Sequence, residues 1–263
     1  MKNFLLVWLF FILMTPVLAQ AQGETLKVGT DCDYTPYSSR DSDGKLVGFE
    51  IDLVNEIGSR LGRAVEFHCT PFDSAIPSLT THMYDALFDT LSITEERKKQ
   101  VDFTIAYRAN TGRFGTTKDF EAEIFTPDGQ PNPKALAGKV IGLQGATVYQ
   151  DYIASRFPGV EVRLYDKLPN LYEDLNTGRV DLVIASTSNV WSGLINKDPE
   201  KFKFIGPDIE DQAFGEGVGA AVRLGDPLLA DLNKALQSII DDGTFKTLNQ
   251  KYFPFTLLPS VWK

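Results

Sequence analysis

Cysteine, histidine and methionine are scarce in this chain: two, two and three among 263 residues. Cys32, Cys69, His68 and His82 are too few and too scattered to make a metal cluster, because a structural zinc needs four thiolate or imidazole ligands drawn together. Each histidine reads as a surface or strand-end residue. There is no Gly-x-Ser-x-Gly run, and neither histidine has a serine placed as its partner, so nucleophilic triad chemistry finds no constellation. Positive charge is also short, with 26 Lys and Arg against 35 Asp and Glu and a net charge of −9. That balance makes nucleic acid and anionic membrane surfaces poor partners.

A long apolar run occurs once, from Phe4 to Leu18 after Met1-Lys2-Asn3, and closes on Ala19-Gln20-Ala21. It is short for a membrane span, and the small residues at its end suit cleavage before Gln22. Residues 1–21 therefore read as a secretory signal peptide, and with no cysteine after the cut a lipid anchor is not expected. Its removal takes away Lys2, leaving 25 basic against 35 acidic residues. The remaining chain of about 240 residues can bury a full core as one large domain or as two lobes. Export makes pairing of Cys32 and Cys69 permissible. Both follow predicted strands, and a disulfide requires those strands to lie side by side and parallel; two buried free thiols are the alternative.

From Leu26 the pattern is strand, loop, helix, strand. Leu26-Lys27-Val28-Gly29-Thr30 reads as a strand, and Asp31-Cys32-Asp33-Tyr34-Thr35-Pro36-Tyr37 as the loop leaving it. From Phe49 the apolar residues Ile51, Val54, Ile57 and Leu61 keep helical spacing until Gly62 stops them. A strand Ala64 to His68 and a helix from Phe72 follow, which implies a parallel sheet. Val101 to Tyr107 and Gly112 to Thr116 read as extended segments leading into a second lobe. Asp119 to Ala137 is a turn-rich excursion. The pattern then restarts with strands Lys139 to Leu143, Val160 to Leu164 and Val180 to Ile184, and helices through Tyr152 to Phe157 and from Leu168 to Thr177. Phe214 to Ala220 lacks the last glycine of a dinucleotide fingerprint and reads as a strand crossing back. Helices Pro227 to Ile240 and Thr244 to Tyr252 close the chain.

The stretch Tyr84 to Arg97 carries the clearest signal of a pocket. An apolar strand ending near Asp89 gives way to small polar residues. Ser92 or Thr94 can cap the next helix, with Glu95 three residues past Ser92 completing a capping box. Arg97 then falls in the first turn, where its planar fork and free backbone N–H groups can meet at one carboxylate. Val180 to Ile184 echoes Tyr84 to Phe88, and Thr90 and Ser186 stand at the same offset from Asp85 and Asp181. Both lobes would then present hydroxyls at the carboxyl ends of their strands, where open α/β sheets bind ligands.

Gly29-Thr30-Asp31 with Tyr34 and Pro36, Gly48 to Leu53, Ile76-Pro77-Ser78-Leu79, Leu91-Ser92-Ile93-Thr94 with Arg97, Leu143-Gln144-Gly145 with Thr147, and Asp242-Gly243-Thr244 together resemble the bacterial extracellular solute-binding proteins of family 3. Within that family the chain is most similar to the lysine/arginine/ornithine-, histidine- and opine-binding periplasmic proteins of ABC-type importers. The resemblance implies an α/β periplasmic binding protein of the type II fold, with two lobes joined by two hinge strands. Each lobe would hold a mixed, mainly parallel sheet flanked by helices, with residues 24–109 and 215–263 in lobe 1 and 110–214 in lobe 2. It implies a monomer in the periplasm, without cofactor or metal, that delivers a small amino-acid-like ligand to a membrane permease.

In such proteins the arginine at the place of Arg97 holds the ligand α-carboxylate, aided by N–H groups near Ser92 and Thr147, and Tyr34 and Phe72 form an aromatic clamp. Two departures stand out. Ser186 replaces the acidic residue that holds the α-ammonium. Asp89 replaces a serine and joins Asp31 in a pair of carboxylates, whose mutual repulsion favours a cation between them. An arginine, ornithine or lysine, an opine with a substituted α-nitrogen, or a guanidino acid is the expected guest, and no enzymatic activity is expected. The competing expectation is a periplasmic cyclohexadienyl or arogenate dehydratase on the same scaffold, with Asp89 as general acid. A receptor's sensor portion would need a membrane segment after the second lobe, and the sequence holds none.

Overall fold

A computed structural model describes residues 23–259; the signal-peptide reading of residues 1–21 lies outside them. Two five-stranded sheets organise the chain. In the first, Arg63–Cys69, Gly23–Thr30 and Ala86–Leu87 run parallel, and Ala221–Arg223 then lies antiparallel between Ala86–Leu87 and Val101–Phe103. In the second, Glu161–Tyr165, Val140–Gln144 and Leu182–Ser186 run parallel, followed by antiparallel Gly112–Thr117 and Phe202–Ile209. The same order of parallel strands, then a returning antiparallel one, builds the two lobes of a type II binding-protein fold. No helix among the described residues is long and apolar enough to cross a membrane.

The echo between the sheets is physical as well as sequential. Asp85 accepts from the Lys27 N–H at 3.0 Å and Asp181 from the Val140 N–H at 2.9 Å, so each aspartate pins the start of its strand to the neighbouring one. The helix Phe49–Leu61 buries Phe49, Leu53, Val54 and Ile57, and Gly62, at a φ of 65°, closes it with its N–H on the carbonyls of Gly58 and Ser59. A left-handed residue costs glycine little, which is why the helix stops there.

Several elements differ from expectation. The strand before Asp89 pairs only over Ala86–Leu87. The segment Phe214 to Ala220 is mostly irregular, and the ordered strand begins at Ala221. Glycines 215, 217 and 219 lie against backbone of Ile93, Arg108 and Thr104, and Val218 pairs by single antiparallel bridges with Ser92 and Arg108, so close chain approach and isolated pairing set this segment. A three-stranded sheet of Asp33–Tyr34, Ser38–Arg40 and Leu46–Val47, and the strand Phe202–Ile209, carry too few alternating apolar residues to stand out by pattern.

Cys32 and Cys69 form a disulfide across a sequence separation of 37. Parallel pairing sets Thr30 opposite Cys69, so the bridge fixes the loop that carries Asp31 and Tyr34. Closing a loop of this length stabilises a fold by about 4 kcal/mol in the chain-entropy treatment. Replacing both cysteines by serine should lower the unfolding free energy by up to that amount in a denaturant titration; a change below about 0.5 kcal/mol would show that the bridge constrains nothing.

Candidate functional site

The parallel strands of both sheets end toward each other. Thr30 and Asp31, Asp89 and Thr90, Gln144 and Ser186 all follow or close such strands. Contacts between the two sheets hold these ends together. Asn189 Nδ2 donates to the Thr35 carbonyl at 3.0 Å, the Tyr37 and Ser188 hydroxyls meet at 2.5 Å, and Lys167 pairs with Asp33.

Arg97 forms a further bridge. Its Nη1 donates to the Ser92 carbonyl at 3.0 Å and its Nη2 to the Ala146 carbonyl at 3.1 Å, one from each lobe. Its guanidinium carbon lies 5.5 Å from the Phe72 ring centroid. It forms no ion pair among the described residues, and burial pulls its pKa down to about 10 against the pull of Asp151 and Asp89. Its helix, Glu95–Lys98, is a single turn capped by Thr94, whose hydroxyl accepts the Arg97 N–H at 3.3 Å. The capping box from Ser92 to Glu95 does not form, because Ser92 Oγ instead accepts from Asn110 Nδ2 at 2.7 Å.

Arg97 and Phe72 separate two hollows. Outside lies a cleft of about 860 Å³ reaching Asp151, Gln212 and Glu216. Inside lies a chamber of about 20 Å³. A space of that size admits a water-sized group, so any larger guest enters only when the lobes part. The inner chamber gathers most of the residues expected to bind ligand, which makes it the candidate site despite its size.

Of the nine residues expected to bind ligand, six line this chamber: Tyr34, Phe72, Thr90, Ser92, Arg97 and Thr147. Asp31, Asp89 and Ser186 are not among its lining residues. Ser186 Oγ is drawn away to the Asn189 side chain and accepts the Asn189 N–H at 3.3 Å, capping the helix Thr187–Val190. Thr90 holds a positive φ of 46°, uncommon for a β-branched residue, and its N–H points at both oxygens of Glu50 at 3.1 Å. The Thr147 hydroxyl donates to the Gln144 carbonyl at 2.7 Å.

Asp31 and Asp89 are adjacent. The Asp31 N–H donates to Asp89 Oδ1 at 2.8 Å, while Asp89 Oδ2 is buried with no hydrogen-bond partner. Burial, then the charge of Asp31, raises the pKa of Asp89 well above the carboxylate range. Burial also raises Asp31, against the opposing hydrogen bond from the Asp33 N–H.

Sequence reasoning missed five lining residues: Arg108, Asn110, Gln144, Val148 and Tyr149. It also missed Glu50, buried on the inner face of its helix and bonded by the Tyr107 hydroxyl. A signal existed for two of them. Arg108 is a cation directly after the apolar segment Val101 to Tyr107, and Glu50 is an acid flanked by core residues Phe49 and Ile51.

The sequence pattern of the bacterial extracellular solute-binding proteins, family 3, matches residues 26–255, and the chain belongs to that family. It is 34% identical over 237 residues to the histidine-binding periplasmic protein of Escherichia coli (strain K12), covering 88% of each chain. It is 35% identical over 246 residues to the L-arginine-binding protein of Pseudomonas aeruginosa, covering 91% of this chain and 92% of that one. Among solved structures, an ancestral arginine-binding protein bound to glutamine superimposes with a TM-score of 0.78 at 33% identity, over 88% of this chain and 98% of that one. These relatives are binding proteins and the family is one of solute-binding proteins, so the class is a binder and not an enzyme.

The raised pKa of Asp89 has a consequence for stability. The folded chain keeps a proton there at pH values where the unfolded chain, with an ordinary value of about 3.9, has lost it. Stability from this group is complete below that value and lost as pH rises through the folded one. Asp89→Asn should therefore flatten the fall in unfolding free energy that sets in as pH rises above about 4, measured by urea titration. An unchanged pH slope would place the proton elsewhere.

Proposed function

We propose that this chain is the periplasmic solute-capturing component of an ABC-type amino-acid importer. It takes an amino-acid-like solute with a cationic distal group, such as arginine, ornithine, lysine, an opine or a guanidino acid, and presents it to a permease as a single closed chain. Closure brings residues 110–214 against residues 24–109 and 215–263.

The observation that carries this reading is the Arg97 guanidinium, held by one carbonyl from each lobe and left without a carboxylate. A solute carboxylate is a stronger partner than a neutral carbonyl, because charge-assisted, two-pronged hydrogen bonds are roughly twice as strong. Arrival of a carboxylate would therefore tie both lobes to one guest. The Asp31–Asp89 pair supports the choice of a cation at the other end. A cation drawn beside Asp89 Oδ2 offsets the burial and the Asp31 repulsion that favour the proton there, so binding should release that proton.

Tyr34 and Phe72 supply flat faces for an aliphatic or guanidinium stem, worth about 0.5–2 kcal/mol. The relatives described as arginine- and histidine-binding bind solutes of this chemistry.

Calorimetric titration of the full chain with arginine, ornithine and lysine tests the reading. At least one should bind with a micromolar or tighter dissociation constant, equivalent to about 8 kcal/mol. Arg97→Gln should weaken that binding by about 100-fold, the cost of removing one partner of a buried charge pair. Binding that survives Arg97→Gln unchanged would contradict the carboxylate role. Titrations in buffers of different ionisation enthalpy should show proton release on binding, lost in Asp89→Asn.

A further inference from the structure

The turn from Phe88 to Ile93 carries three of the expected ligand residues, Asp89, Thr90 and Ser92, and its backbone is fastened at both ends. The Phe88 N–H donates to the Gly29 carbonyl at 3.0 Å, and the Ile93 N–H to the Gly217 carbonyl at 2.9 Å. Between these anchors Thr90 takes a φ of 46°, a left-handed conformation that a β-branched residue keeps only when its surroundings impose it. Its N–H meets both side-chain oxygens of Glu50 at 3.1 Å.

Glu50 is itself held from two sides. Its own N–H, in the first turn of the helix Phe49–Leu61, donates to the Tyr37 carbonyl at 2.9 Å, so the loop that passes through Asp31 and Tyr34 fixes where the side chain starts. The Tyr107 hydroxyl donates to Oε1, and Tyr107 is fixed in turn by its N–H on the Val218 carbonyl at 3.0 Å. Glu50 is 1% exposed and does not line the chamber. Burying an acidic side chain is unfavourable unless hydrogen bonds compensate, and a threonine in a left-handed turn is unfavourable too. Two unfavourable features meet here at a single hydrogen bond, and the site's most polar turn depends on that bond.

We propose that Glu50 is a positioning residue for the solute site. It holds the Thr90 N–H, keeps the turn left-handed, and so sets Asp89 against the Asp31 N–H and presents the Ser92 carbonyl to Arg97. This role rests on the proposed solute-binding reading and adds to it a residue that need not touch the solute. If Glu50 acts through the conformation of Thr90, glycine at that place removes the need for it, because glycine takes a positive φ without steric penalty.

The test is a double-mutant cycle on the full chain, read by calorimetric titration with L-arginine, L-ornithine and L-lysine. Glu50→Gln keeps the shape and turns one of the two oxygens into a donor facing the Thr90 N–H. It should weaken the tightest of the three ligands by about 10-fold or more, as expected when a buried donor is left unpaired. Thr90→Gly alone should lose the part of the affinity that the hydroxyl supplies. Adding Glu50→Gln to Thr90→Gly should then weaken binding by a further factor of about 2 or less. A crystal structure of Glu50→Gln should show Thr90 outside the left-handed region. Where Glu50→Gln does not fold, Tyr107→Phe, which keeps the ring and removes one of the donors that aim Glu50, should weaken binding in the unaltered background and not beside Thr90→Gly.

Equal fold-losses with threonine and with glycine at position 90 would overturn the proposal while leaving the solute-binding reading intact. So would a Glu50→Gln protein that is less stable in urea but keeps its affinity, or one whose crystal structure retains the positive φ at Thr90. Failure of all three ligands to bind the unaltered protein would overturn both.

Discussion

A cation that lies between two lobes without a carboxylate is the constraint around which this structure is arranged. Arg97 is fixed by a single helical turn, by the Thr94 cap and by the face of Phe72. Its donors reach Ser92 in one lobe and Ala146 in the other. Neutral carbonyls satisfy its hydrogen bonds but not its charge, and burial pulls its pKa down as a result. A site that is geometrically complete and electrostatically incomplete favours a guest of opposite sign.

The acidic groups are distributed to the same end. Burial raises the pKa of Glu50, against the opposing pull of the Tyr107 hydroxyl, the field of Arg108 and the Thr90 N–H. Asp89 forms no ion pair among the described residues and has an oxygen with no hydrogen-bond partner; burial and Asp31 raise its pKa well above the usual range against the opposing field of Arg97. The two carboxylates thus behave differently because their neighbours differ: one is spent within the fold, and the other remains available for exchange of a proton against a bound cation. The disulfide holds the Asp31 loop in place, so this arrangement is pre-set before any guest arrives.

Much of this was legible in the sequence where a residue's role follows from its place on a strand end. Asp31, Asp89 and Thr90 follow parallel strands and Arg97 follows one turn later, and local patterning suffices to bring them to one region. The pairing of Cys32 with Cys69 was legible for the same reason, since parallel neighbours put both at one sheet edge. What pattern could not supply was the far side of each contact. Arg108 and Asn110 sit on a crossing segment whose partners, Val218 and Ser92, come from distant parts of the chain. Ser186 falls at a ligand-facing place by sequence offset, yet its hydroxyl is claimed by Asn189 three residues on, a local competition that spacing alone does not reveal.

The most direct measurement is a crystal structure of the protein loaded with a cationic amino acid. The account predicts a ligand carboxylate within about 3 Å of both terminal nitrogens of Arg97. The Ser92 and Ala146 carbonyls should be released from that fork, and the ligand's distal cation should lie against Asp89. A ligand held in the outer cleft, with Arg97 still bonded to those two carbonyls, would contradict it.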